Sequence, residues 1–355
     1  MTPRTVIILA AVTAAATAAA AASLNFNHGY SARGGGGSIF PGLLDKIDSV
    51  AKVAVDHKDG ETVVVRGAGG AWTIPASDGY PANRTQVQKS ILQLARLQFL
   101  EAKTAKKELY SRLHLEGLKE KDTQARRIRL FDAKGTALAE LIVGKKRYNL
   151  PGTETEGGYV RKPGDPQTWL AGGEIDVVTE LKGWLRNSIL NIREEDVLKL
   201  EVRHPGGEVV RISKVNPKDP HFTLHDIPEA KKLRYDSDPD NMSNVVEDLE
   251  MLDARKADKI DFPADKTVSA TYTSRSGLVA ELWLVAKGDD DWLKVKLTAL
   301  ADAPAPAKAG AETPAQIAKR VTDWTTGWVF KVPGFKAERL RRNAAAMLID
   351  KKAGS

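Results

Sequence analysis

Two hydrophobic periods alternate along this chain. Val50, Val53 and Val55, then Thr62 to Val65, follow the two-residue spacing of half-buried strands, and Asp59-Gly60 between them is a hairpin turn signature. A glycine-rich turn over Gly67 to Gly70 leads to a short strand around Trp72 and Ile74. From Arg84 to Phe99 the period becomes helical, with Val87, Ile91, Leu94 and Leu97 on one stripe and Asn83 as the N-cap. A short helix is expected over Lys106 to Leu115. A second hairpin then runs through Ile128 and Leu130, turns at Asp132 to Gly135, and returns through Leu138, Leu141 and Val143. Strands over Tyr159 to Arg161 and Gln167 to Leu170 follow, and Val177, Leu181, Trp184 and Leu185 predict a further helix.

The pattern then recurs. Val50 to His57 aligns with Val197 to His204, Gly60-Glu61 with Gly207-Glu208, and Trp72 with Phe222. The helix of Leu94 and Leu97 matches a second helix expected to contain Leu249 and Leu252. Ala139-Glu140-Leu141 returns as Ala280-Glu281-Leu282, and Tyr159-Val160 has its echo in Trp328-Val329. The fold expected is therefore α+β: two duplicated β-β-β-α-β-β units with antiparallel sheets, one face of each sheet wet and the other under helices. The first unit spans 39–192 and the second 193–355, with an exposed Ala/Pro-rich loop at 301–314.

Before these units comes a different composition. Val6 to Leu24 is a run of nineteen residues without charge, preceded by Arg4. At helical rise it reaches ~28 Å, enough to cross a bilayer core. Ala20-Ala21-Ala22 also suits signal cleavage. Residues 1–24 are expected to be a transmembrane anchor or signal segment, and 25–38, with Gly34 to Gly37, a flexible tether. Arg4 favours the cytoplasmic side, which puts the C-terminal body in the periplasm as a single-pass inner-membrane protein.

The chain of 355 residues has no cysteine, 53 Lys and Arg, and 46 Asp and Glu, a net charge of +7. Absence of cysteine excludes disulfides, thiolate metal sites, a cysteine nucleophile and a lipidated cysteine. Such a mild basic excess does not make a nucleic-acid tail, and export disfavours nucleic acid further. Basic clusters at Lys103/Lys106/Lys107, Lys119/Lys121, Arg126/Arg127/Arg129 and Lys145/Lys146/Arg147 could contact a polyanion or could be solvated faces balanced by acids.

Patterns of catalysis fail one by one. Asp236, Asp238, Asp240 and Glu247 have the ligand spacing of a calcium loop, but Asn241 stands where its glycine belongs and Pro239 stiffens it. The alternative is that these acids cap a helix. His221 and His225, between Pro220 and Pro228, lie ~13 Å apart on extended chain, too far to share a metal ion. Gly144-Lys145 lacks the first glycine and the Ser/Thr of a phosphate loop, Gly67 to Gly70 breaks the dinucleotide pattern, and no G-x-S-x-G occurs. Glu194-Glu195-Asp196 reads as a helix start and Asp289 to Asp291 as a turn. The tryptophans Trp72, Trp169, Trp184 and Trp328 are expected in the core. No catalytic, cofactor-binding or metal residue is assigned, and no cofactor is expected.

Phe40-Pro41-Gly42-Leu43, Gly79-Tyr80-Pro81, Val143-Gly144-Lys145, Tyr159-Val160-Arg161-Lys162-Pro163-Gly164, Trp169-Leu170 and Trp184-Leu185, taken in order, resemble the bacterial domain of unknown function 4340 family over most of 39–349. The resemblance implies an inner-membrane anchor, an exported α+β body and company with ABC-type transport systems. It carries no catalytic residue. The function expected is a non-enzymatic extracytoplasmic binding or scaffolding protein with a membrane-protein partner. The alternatives are an exported hydrolase of an envelope polymer or a polyanion-binding module.

Overall fold

The computed structural model describes residues 36–351, apart from 149, 151–155, 307 and 309. The anchor or signal segment expected over 1–24, and the tether as far as residue 35, lie outside the described residues. No helix among the described residues is long and apolar enough to cross a membrane. The chain forms two compact units, divided between Trp184 and Leu185, and Ser77–Tyr80 belongs to the second. The sequence pattern had set the division between 192 and 193.

In the first unit, β1 (Val50–His57) and β2 (Gly60–Arg66) make the expected hairpin, with His57 opposite Gly60. β3 (Trp72–Ile74), β4 (Tyr80–Pro81), α1 (Arg84–Arg96), β5 (Gln98–Ala102) and α2 (Tyr110–Leu113) follow. β6 (Arg126–Asp132), β7 (Ala137–Arg147), β8 (Gly157–Arg161) and β9 (Thr168–Gly172) complete a sheet of order β4-β3-β2-β1-β6-β7-β8-β9-β5. Val55, Ile128 and Leu141 stand opposite one another across three strands and are buried, as are Val53 and Leu130. The alternate positions are charged. Asp56 receives Arg127 Nε and Arg129 Nη2, each at 3.0 Å, and Arg127 reaches Glu140 at 3.2 Å. One face of this sheet is thus wet, as strand alternation requires.

Helix α1 starts where expected: Asn83 Oδ1 accepts from Gln86 N at 3.2 Å. It ends three residues before Phe99, a correction to the sequence pattern. Leu97 turns extended, and Phe99 is a strand residue whose N–H donates to Gly37 O while its carbonyl accepts from Gly36 N. Leu97 fits the helical stripe because it is fully buried, but it is buried at the start of the next strand. The helix expected over 106–115 shrinks to α2 and a preceding 3-10 turn, closed by His114 in the left-handed region. The helix expected through Val177 to Leu185 is only a 3-10 turn at Leu181–Gly183. Val177 and Trp184 are buried all the same, and Trp184 Nε1 donates to Val178 O at 2.9 Å, so apolar spacing there marks burial of irregular chain.

The second unit contains β10 (Ser188–Leu190), β11 (Val197–Arg203), β12 (Val209–Ser213), β13 (Thr223–Leu224), β14 (Lys231–Leu233) and α3 (Asp238–Ser243). After these come β15 (Leu249–Glu250), β16 (Asp253–Lys256), β17 (Val268–Ser274), β18 (Leu278–Lys287), β19 (Asp290–Ala299) and α4 (Pro314–Thr325). The chain closes with β20 (Trp328–Lys331), α5 (Gly334–Arg341), α6 (Ala344–Met347) and β21 (Leu348–Asp350). The main sheet runs β13-β12-β11-β17-β18-β19-β20-β16; β10-β15 and β14-β21 are separate pairs. Leu200, Tyr272, Ala280 and Leu297 align across its buried face, under α3, α4 and α5, whereas Glu281 meets Lys296 on the other. Helix α4 follows the Ala/Pro-rich loop and carries a capping box: Thr313 Oγ1 accepts from Gln316 N, and Gln316 Oε1 from Thr313 N.

Both units are α+β, and their strand pairings are antiparallel among the described residues. Numbered within its own unit and leaving out β4, the first main sheet runs third, second, first, fifth, sixth, seventh, eighth, fourth. The second runs in the same order once its strands outside the main sheet are set aside. In each, a helix separates the third strand from the fourth. The helix matched to Leu249 and Leu252 ends earlier, at Ser243, and Leu249 lies in β15.

Candidate functional site

Asp238 and Asp240 are two residues apart on α3, and a helix sends such a pair to different sides. Asp238 pairs with Arg342. Asp240 accepts from His221 Nδ1 and from Phe222 N, both at 2.8 Å, and so holds the chain entering β13. Asp236 is exposed, and Glu247 lies beyond a 3-10 turn at Asn244–Val246, where its Oε2 accepts from Glu194 N at 3.4 Å. The four acids with calcium-loop spacing are therefore dispersed; no group of three His, Asp or Glu among the described residues could hold a metal ion. Asp238 and Asp240 do occupy the first turn of α3, but the N-cap Ser237 makes no side-chain cap bond, so the acids support the helix through its dipole alone.

His221 and His225 do not converge either. His221 is bound to Asp240, whereas His225 Nε2 lies 2.6 Å from Ser213 Oγ. The Ser213–His225 pair is on exposed chain, and no carboxylate bonds its imidazole among the described residues, so the third member of a nucleophile relay is missing.

An open depression of about 680 Å³ lies in the second unit. Glu194 and Glu195, from the turn Glu194–Asp196 that leads into β11, line it. Arg193 closes over this turn onto Glu195 and Asp196. Lys214 donates to Glu195 O at 3.2 Å and sits 4.8 Å from the Phe222 ring centroid; Arg275 donates to Glu195 O and Pro217 O. Backbone carbonyls thus fix two cations on the rim. Between them, burial pushes the Glu194 carboxyl above the usual range, and the negative charges of Asp240 and Glu247 push the same way. A carboxyl that keeps its proton longer, beside a second carboxylate and two cations, could donate a proton to an anionic ligand. Glu194 was legible only as the start of a helical turn. Its proximity to Glu247, 53 residues later, left no local signal.

Four of the eleven residues in the basic clusters are ion-paired among the described residues. Arg127 and Arg129 share Asp56, Lys103 pairs with Glu101, and Lys146 reaches Asp176 at 3.0 Å. Gly144-Lys145 lies on β7, where a Cβ on Gly144 would stand 2.1 Å from Leu113 O; this glycine serves close backbone packing. Gly67 to Gly70 forms a tight turn, Gly70 N donating to Gly67 O at 2.9 Å. Trp72 and Trp184 are core residues as expected. Trp169 and Trp328 are half-buried, and each packs on an aromatic neighbour: Phe99 at 4.6 Å and Tyr80 at 4.9 Å between ring centroids.

No curated protein matches the chain. The family profile "Domain of unknown function (DUF4340)" matches residues 72–272, which takes in most of the first sheet, the Glu194 cleft apart from Arg275, and the chain as far as Tyr272 in β17. The chain belongs to the DUF4340 family.

Proposed function

We propose that this protein is a non-enzymatic, extracytoplasmic binding or scaffolding component of the bacterial inner membrane, working beside an ABC-type transport system. In this reading residues 1–24 form a single-pass anchor or signal segment and the two units stand in the periplasm. The observation that carries it is the pair of wide sheet faces lined by cross-strand charges. Asp56, Arg127, Arg129 and Glu140 line one, and Glu281 with Lys296 the other. Faces of that kind stay soluble alone and offer many weak, specific contacts to a partner's surface. In-cell crosslinking of the full-length protein, followed by identification of what is captured, tests it. Recovery of transporter subunits is the expected result; recovery of no membrane protein would remove the support.

A second reading, an exported hydrolase of an envelope polymer, is favoured by one observation, the raised carboxyl of Glu194 beside Glu247. Complementation with E194Q and E247Q separates the two. Full function in both variants excludes the hydrolase, whereas loss of function with folding intact favours it.

We also infer that the units arose by duplication. The shared strand order supports this, and it aligns Trp328–Lys331 with Thr168–Gly172, not with Tyr159-Val160. Family sequences aligned to each unit should show one positional pattern at β1 and β11; unrelated patterns would sink the inference.

A further inference from the structure

The start of β11 lies between the ends of β12 and β17 in the second sheet, so antiparallel pairing brings the chain around all three to one sheet end. Lys214 follows β12 and Arg275 follows β17. Their backbones are fixed there: Lys214 N donates to Leu198 O at 3.0 Å, and Arg275 N to Asp196 O at 2.6 Å. Their side chains meet on one atom, Glu195 O, which accepts from Lys214 Nζ at 3.2 Å and from Arg275 Nη2 at 3.4 Å. Arg275 Nη2 also donates to Pro217 O, which holds the next residue, the exposed Lys218, on the same cleft.

None of these three cations makes an ion pair among the described residues. The neighbouring charges are engaged elsewhere: Arg193 pairs with Glu195 and Asp196, Asp219 Oδ2 accepts from Asn216 N, and Glu247 Oε2 accepts from Glu194 N. A carbonyl holds a cation in place without neutralising it. Lys214 and Arg275 are therefore positioned and still uncompensated, and each keeps further N–H donors for a ligand.

We propose that this cleft binds a phosphate group, from inorganic phosphate or a phosphomonoester, across Lys214, Lys218 and Arg275. Ammonium and guanidinium donors make charge-assisted hydrogen bonds to phosphate oxygens. A phosphomonoester's charge of about −1.5 to −2 at pH 7 suits several cations better than the single charge of a carboxylate. Glu194 and Glu247, on the same cleft, select among dianions: a phosphate can bring a proton to share with a carboxylate, and sulfate brings none. At about 680 Å³ the depression also has room for the organic part of an ester. Binding requires neither catalysis by Glu194 nor docking on the sheet faces.

Calorimetric titration of the full-length protein at pH 7 with inorganic phosphate and with glycerol 3-phosphate is the test, with sulfate and acetate as controls. Saturable binding of at least one phosphate is expected, the tighter of the two identifying the source, and at least tenfold weaker binding of sulfate and acetate. K214M and K218A should each weaken phosphate binding at least fivefold. Lys218 is exposed, so K218A preserves the fold and keeps the test decisive should K214M fail to fold. K232A removes the same charge from exposed β14 chain that does not line the cleft, and should leave the affinity unchanged. No binding of either phosphate, sulfate bound as tightly as phosphate, unchanged affinity in K218A, or an equal loss in K232A would overturn the proposal.

Discussion

The Tyr272 hydroxyl donates to the Met242 carbonyl at 2.8 Å, and both residues are fully buried. This bond ties the middle of the second sheet, at β17, to α3, the helix from which Asp238 pairs with Arg342 and Asp240 holds His221 and Phe222 N. Y272F keeps the ring and removes the donor, leaving the carbonyl unpaired. The expected loss is about 1 kcal/mol, read as a lower denaturant midpoint with unchanged slope.

Burial also pushes the Tyr272 hydroxyl far above its usual 10.0, and burial does the same to Tyr80 against the opposing charge of Arg186. A raised folded pKa gives stability that is complete below pH 10 and is lost as pH climbs beyond it, because only the unfolded chain releases the proton there. Alkaline denaturation should therefore steepen above pH 10, and the Y80F/Y272F double variant should flatten it.

Gly144 and Leu113 approach so closely that G144A would place a methyl 2.1 Å from a carbonyl oxygen. Backbone lies on both sides, so neither can yield cheaply. Destabilisation by about 3 kcal/mol or more is expected in thermal unfolding; a loss under about 1 kcal/mol would show that α2 can shift away from β7.

Lys336 is buried, at 7% exposure, and donates to Asn244 O at 3.0 Å and Glu247 O at 2.7 Å. K336M leaves those carbonyls without a donor and should cost about 2 kcal/mol at pH 7. Burial, then Arg339, lowers the ammonium's pKa below 10.5. The folded state thus holds this proton less tightly than the unfolded one. Its contribution makes stability rise with pH on the approach to 10.5, a slope that K336M should abolish.

His204 gives the acid-side counterpart. Burial holds its imidazole below the ordinary 6.5, and its Nε2 is buried without a partner. As pH falls below 6.5 the unfolded chain takes up the proton first, so stability declines. H204Q should show a flatter stability profile between pH 6.5 and 5 than the parent.

Much of the architecture was legible from local pattern. The hairpins of β1–β2 and β6–β7 follow from alternation plus turn residues, and Asn83 caps α1 from its own short-range chemistry. What pattern confused was burial with helicity. Leu97, Val177 and Trp184 sit at helical spacing because they are buried, yet their backbones are extended or irregular. Helix α4 starts at a capping box, Thr313-Pro314 with Gln316, but the Ala/Pro-rich composition of 301–314 runs into that start and reads as loop.

The sequence by itself determined the α+β class and the exclusion of every thiol-based site, since these depend on residue type and short-range spacing. The tertiary structure alone decided what the acids do. Asp238 and Asp240 look like one cluster in sequence, but α3 turns them to opposite sides. Glu194 finds Glu247, and Asp238 finds Arg342. Each of those encounters joins segments at least fifty residues apart, and no local propensity encodes such a distance.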